Sequence, residues 1–254
     1  MNAVLQWLTD PTQWSGPTGI TARLLEHLAY SGLALAIAAV VAIPLGLWVG
    51  QSGRARWLIS AANASRAVPS LGLLFAVALW VGPHIRGSLA FLLPSLIVLV
   101  LLAMPPLLSG AYAGVEAVDP AATDAAAGMG MRPAQILWRV QLPCALPLLI
   151  SGVRSAALQV IATATIGATI SLGGLGRFLI DGQAATDYAQ MAGGSLLVAA
   201  LALVVDLTLA GIAAVVTSPG LRAARPGAAS IGRRVGARRL STVPARPAHQ
   251  GARS

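Results

Sequence analysis

The sequence predicts an all-α, polytopic membrane protein with about five transmembrane helices, and three observations carry that expectation. Of 254 residues, 56% are hydrophobic and 10% are charged, with a mean hydropathy of +0.76, where soluble domains carry roughly 25% charged residues. Apolar runs of the length needed to cross a hydrocarbon layer, roughly 20 residues for about 30 Å, recur along the chain. Short polar stretches separate them and serve as stops. The chain contains no lysine: all 17 basic residues are arginine. A phosphate-cradling P-loop needs its Lys to reach the β and γ phosphates, so an ordinary nucleotide-hydrolysing site is excluded, and so is Schiff-base chemistry.

Residues 1–22 are interrupted by Asp10, Pro11, Trp14 and Gly16. They lack the basic region, apolar run and cleavage site of a signal peptide, so an uncleaved extracytoplasmic segment is expected. The domain that follows, 23–218, opens with a span at 24–50, closed by Gly-Gln-Ser-Gly and by Arg54 and Arg56. A second span is expected over 58–81, interrupted by Asn63, Ser65 and Arg66 and restarted at Val68-Pro69. The third covers 88–110, where Pro94, Pro105 and Pro106 predict kinks. The fourth covers 146–172 and the fifth 194–216. The segment 219–254 is rich in Ala, Arg, Pro, Gly and Ser, and is expected to be a disordered tail.

The net charge of +9 belongs to that tail. It holds eight arginines and no acid, which leaves nine arginines against eight acidic residues elsewhere. Alternating the loops across the bilayer with the N-terminus outside puts thirteen arginines inside against Arg23, Arg86 and Arg177 outside. By the positive-inside rule the C-terminus and its tail are cytoplasmic, with some contact to anionic lipid. The tail has no interleaved aromatics, which argues against a nucleic-acid binder. A single cysteine, Cys144, permits no internal disulfide and is expected to pack as a small residue. His27, His84 and His249 show no metal-ligand spacing, so no metal site is expected.

Between the third and fourth spans a long cytoplasmic loop, 111–145, has its own local logic. Asp119-Pro120 offers an N-cap with proline at the first helical position, and the alanines through Ala127 favour a helix. Gly128 and Gly130 then break it. Pro133 can open a second short helix, which Pro143 ends. An amphipathic helix at a membrane face either lies in the lipid interface or docks in a partner's groove, and the residues alone leave both open.

Asp124-Ala125-Ala126, three residues, Gly130, nine residues, Val140, one residue, Leu142-Pro143 resembles the EAA motif of ATP-binding cassette importer permeases. The spacing agrees throughout, with Asp in place of Glu and Val in place of Ile. The resemblance extends over residues 30–206. It looks closest to the osmoprotectant branch through Arg66-Ala-Val-Pro-Ser-Leu-Gly-Leu-Leu and through the stretch from Ile161 to Gly182 containing Gly-Gly-Leu-Gly. That glycine segment is also similar to methionine-type permeases. The resemblance implies a type I importer permease fold, and a role as a permease rather than an enzyme, for glycine betaine, choline, carnitine or another small amine or amino acid.

The implied partners are cytoplasmic ATPase subunits, a second permease copy or paralogue, and an extracytoplasmic substrate-binding protein. No cofactor is implied in this chain, since ATP would be bound by the ATPase subunit. Asp124, Ala125, Ala126, Gly130, Val140, Leu142 and Pro143 take the coupling positions. A stand-alone secondary transporter is the rival reading.

Other residues have two readings each. Gln159, Thr163, Thr165 and Thr169 would suit a translocation path, while threonine hydroxyls also bond back to their own helix. Gly173, Gly174 and Gly176 would form an outer gate loop or a helix C-cap turn. Asp206 falls within the fifth span, where an unpaired carboxylate is expensive, and Arg154 is the nearest candidate partner. Trp48, Trp57 and Trp80 are expected in the interfacial aromatic belt.

Overall fold

A computed structural model of the chain describes residues 2–87 and 89–216, and every regular element among them is helical. The tail expected to be disordered lies outside the described residues. Four helices are long and apolar enough to cross a membrane: α3 (Ile20–Ser52), α6 (Leu89–Glu116), the stretch Pro133–Ile170 that contains α9 (Leu142–Gly167), and α11 (Tyr188–Val216). The short helices α1 (Asn2–Thr9) and α2 (Pro11–Trp14) precede them, α4 (Trp57–Ala64), α5 (Ser70–Val81), α7 (Pro120–Gly128) and α10 (Gly176–Ala185) lie between them, and α8 (Pro133–Ile136) opens the third.

The centre of the bundle is α6. Of its most apolar stretch 56% is buried, against 6% for α11 at the periphery. Its neighbours α3 and α9 approach it through small residues. On α3 these recur every fourth position, at Ala34, Ala38, Ala42, Gly46 and Gly50, and so form one stripe. A Cβ on Gly46 would lie 2.6 Å from the Leu108 carbonyl oxygen. On the other side, a Cβ on Gly110 would lie 2.8 Å from Cα of Gly152, and one on Gly152 would lie 2.7 Å from the Pro106 carbonyl oxygen. Lipid tails are as apolar as leucine, so close backbone approach, rather than burial from water, is what draws such helices together. Pro94, Pro105 and Pro106 all lie inside a continuous α6 and are buried against these neighbours.

The second span expected over 58–81, interrupted at Asn63, Ser65 and Arg66 and restarted at Val68-Pro69, is a sharply bent pair of helices. That region is two helices, Trp57–Ala67 and Ser70–His84, bent by 94°. Val68 is extended, with φ −71° and ψ 126°, because the ring of Pro69 disfavours the helical region for the residue before it. Polar residues of α4 and its N-cap have partners on α6: Ser109 Oγ donates to Asn63 Oδ1 at 3.1 Å, and Arg56 pairs with Glu116 at 3.2 Å.

Residues 2–22 fold onto the bundle. Trp7 is buried, meets Phe178 edge-on at 5.3 Å between ring centroids, and lies where a Cβ on Gly193 would be. Cys144 is exposed, contrary to its expected packing role; its neighbour Ala145 is the residue turned into the core, against Leu47, Ala111 and Val115. Asp206 and Arg154 do meet, through paired bonds of Nε to Oδ1 at 2.9 Å and Nη2 to Oδ2 at 2.7 Å. Asp206 lies ten residues from the end of α11 and Arg154 twelve from the start of α9, which at 1.5 Å per residue is about 15 and 18 Å. Antiparallel neighbours thus bring the two charges to one depth.

Candidate functional site

The loop between α6 and α9 is a folded unit. Asp119 caps α7 by accepting from the Ala121 N–H at 2.9 Å, and Pro120 occupies the first turn. At the far end the Gly130 N–H donates to the Ala127 carbonyl at 2.9 Å and the Met131 N–H to the Ala126 carbonyl at 3.2 Å. This pair of bonds, with Gly130 at φ +81°, is the Schellman arrangement that ends a helix on a left-handed residue. No atom lies within 4 Å of a Cβ placed on Gly130. Glycine is therefore required there by backbone conformation and not by space.

The chain then re-enters a helix at Pro133. The Gln135 side chain reaches back to accept from the Arg132 N–H at 2.8 Å, and Gln51 at the end of α3 donates to the Pro133 carbonyl at 2.7 Å. Pro143 does not end this second helix, as had been expected. A π turn over Leu137–Gln141, in which the Leu142 N–H bonds to the Leu137 carbonyl, leads directly into α9. Pro143 has no N–H for the carbonyl four residues back, and the wider turn just before it absorbs that loss without breaking the helix. The segment is thereby joined end to end with a bundle helix.

The coupling positions divide by exposure. Asp124, Ala125, Gly130 and Pro143 are exposed and Ala126 is buried, on the side where α7 packs against α8 and the π turn. Leu142 packs with Leu137 and Leu149 on the buried cluster of Leu47, Ala111, Val115 and Ala145. One face is open to a partner, and the other is anchored in the bundle.

At the opposite end the three glycines do not form the helix C-cap; Ser171, at φ +70°, takes that position. The glycines permit close contact instead. The Gly174 N–H donates to Glu26 Oε2 at 2.8 Å, the same carboxylate oxygen that takes Arg23 Nη1 at 2.9 Å. A Cβ on Gly173 would collide with that carboxylate, and one on Gly176 with the Thr165 carbonyl. Buried His27 places Nε2 3.1 Å from the Ile161 carbonyl oxygen. The loop is thus fastened to α3 and α9.

The four polar residues proposed for a path do not share one face. Thr163 is buried and Thr165 half-buried, with its hydroxyl donating to the Ile161 carbonyl; Thr169 is exposed and bonds to Ile166. Gln159 belongs to an exposed stripe with Ser151, Ser155 and Ala162, all within one arc of α9 at 100° per residue, and exposed Thr169 lies just beyond it in the 3₁₀ turn Ala168–Ile170. Ser151 and Ser155, with Arg66 and Ser109, line a cleft of about 230 Å³. The sequence reading missed these serines, although their spacing of four marks one helix face.

Long apolar helices, a folded loop exposing one face at one end, and a polar stripe left open along α9 define a multi-pass membrane subunit that works against partners. The chain belongs to the family of binding-protein-dependent transport system inner membrane components, whose model matches residues 42–223. It is 31% identical over 207 residues to the carnitine transport permease protein OpuCD of Listeria monocytogenes, covering 81% of this chain and 89% of that one. It is 30% identical over 203 residues to the choline transport system permease protein OpuBB of Bacillus subtilis, covering 79% and 89%. The osmoprotectant import permease protein OsmW of Salmonella typhimurium is 29% identical, with 78% and 91% covered. In fold the chain resembles a chain of the MetNI methionine ABC transporter in an inward-facing conformation, with a TM-score of 0.66 at 22% identity, covering 83% of this chain and all of that one.

Proposed function

We propose that this chain is the permease subunit of an ATP-driven importer for a small osmoprotectant such as carnitine, choline or glycine betaine, the substrate classes in the names of its relatives. The observation that carries the reading is the α7–α8 unit, whose exposed Asp124 and Ala125 stand opposite a buried face that runs through the π turn into α9. In this reading a cytoplasmic ATPase subunit holds the exposed face. Closure of the ATPase pair displaces α7, and the joined helix passes the movement to the bundle. The N-terminus lies outside and the C-terminus inside.

A second permease copy or paralogue covers the open stripe of α9, because serine and glutamine side chains facing lipid are costly and ordinarily face protein or water. The translocation path runs along that covered face. An extracytoplasmic binding protein delivers substrate near the Gly173–Gly174 loop. The chain itself hydrolyses nothing and holds no cofactor.

Replacing Gly130 tests the reading. A β-branched residue in a left-handed conformation costs about 1–2 kcal/mol and reshapes the turn that presents α7. Gly130→Val should abolish ATP-driven uptake in proteoliposomes while membrane insertion, read by protease protection, is unchanged. Uptake at the wild-type rate would remove α7 from the mechanism.

A further inference from the structure

A groove of about 310 Å³ opens between the last turns of α3 and the π turn. Its walls are apolar: Pro44, Leu47 and Trp48 on one side, Leu137 and Trp138 on the other. Two tryptophans at its rim are left open, Trp48 at 49% and Trp138 at 63% exposure. The hydrogen bond from Gln51 to the Pro133 carbonyl joins the two walls at 2.7 Å, so the groove belongs to the folded loop rather than to a chance gap.

Two observations say what fills it. Trp48 and Pro44 continue the exposed apolar stripe of α3 formed by Leu33, Ile37, Val40 and Val41, a stripe of the kind that suits lipid hydrocarbon, and the groove is open along that stripe. Exposed arginines flank it in the chain, Arg54 after α3 and Arg132 and Arg139 on either side of the Leu137–Trp138 wall. Among the described residues none of the three forms an ion pair. Two exposed tryptophans, a residue type enriched where acyl chains meet headgroups, and guanidiniums suited to phosphate match the two ends of one molecule.

We propose that this groove is a phospholipid site, in which one acyl chain lies between Trp48 and Trp138 and the headgroup phosphate is held by Arg132 and Arg139. The site's leaflet rests on the orientation proposed above; its existence does not. Because the seated chain touches the π turn, it packs beside the link that joins α7 to α9, and lipid becomes a structural part of the coupling element.

The test is photo-crosslinking of the complete transporter, permease with its ATPase, reconstituted with phosphatidylglycerol carrying a diazirine on one acyl chain. Adducts are expected on segments 43–51 and 137–142. They should be lost in Ile43→Trp, which fills the groove, and in Trp138→Ala, which opens its rim at an exposed position, while labelling of Val40 and Val41 persists. Arg132→Gln with Arg139→Gln should lower the adduct yield with neutral groove walls intact. Labelling of Val40 and Val41 with none at 137–142 would overturn the site, as would adducts that neither groove variant alters. A photoreactive phenylalanine analogue placed at Trp138 that labels the ATPase in place of lipid would overturn the lipid site and assign the groove to that subunit. ATP-driven uptake measured in the same vesicles reports separately on the importer reading, so loss of one result does not depend on the other.

Discussion

Asp206 sits in an otherwise uncharged helix, and both of its oxygens are met by the Arg154 guanidinium. Removing one member of such a pair leaves the other charge uncompensated, whereas replacing both by apolar residues of similar volume is often tolerated. Asp206→Ala should lower the melting temperature of the detergent-solubilised subunit, and Arg154→Met with Asp206→Leu should recover most of the loss. Equal stability of the single variant and wild type would mean that the pair is not structural. This partnership was legible in the sequence because Arg154 is the one basic residue placed within the fourth span at matching depth. The roles of Thr163, Thr165 and Thr169 were not. A threonine that bonds to its own helix, one that faces the core and one that stands exposed look alike in a string of letters, and only rotation about α9 separates them.

At the scale of elements, α6 and α9 are joined by the contact of Gly110 with Gly152 and of Gly114 with Ala145. Gly152→Leu puts four carbons where the backbone of α6 lies, and overpacking of this kind costs about 1–3 kcal/mol or more. A lowered melting temperature with reduced yield in the membrane is expected, whereas Ser151→Leu, one residue away on the open stripe, should leave the monomer fold unaltered. If Gly152→Leu behaved as wild type, the close approach of these helices would be refuted.

The helix start at Asp119-Pro120 and the break at Gly130 were readable because capping and left-handed glycine are local chemistry. The continuation past Pro143 was not, since a π turn that absorbs a proline has no single-residue signature. Nor was the 94° bend at Val68-Pro69, although the same dipeptide had been read as a restart. The helix α10 was not foreseen beyond Gly176 at its start; its ten residues pack on α11, and that contact is tertiary.

For the whole molecule, composition alone gave the class, since a chain with 10% charged residues cannot cover its surface in water. The count of about five spans agrees with four long helices and one bent pair. What composition cannot supply is why α11 is 6% buried over its most apolar stretch while a polar stripe of α9 stands open. Lipid accounts for the first, and in the function proposed above a second permease subunit accounts for the second. The central claim is that this subunit moves its substrate only when an ATPase works on the α7–α8 unit. Uptake of radiolabelled osmoprotectant into proteoliposomes, with binding protein present and with or without the ATPase subunit and ATP, tests it most directly. Uptake should require permease, ATPase and ATP together; uptake by the permease alone would contradict it.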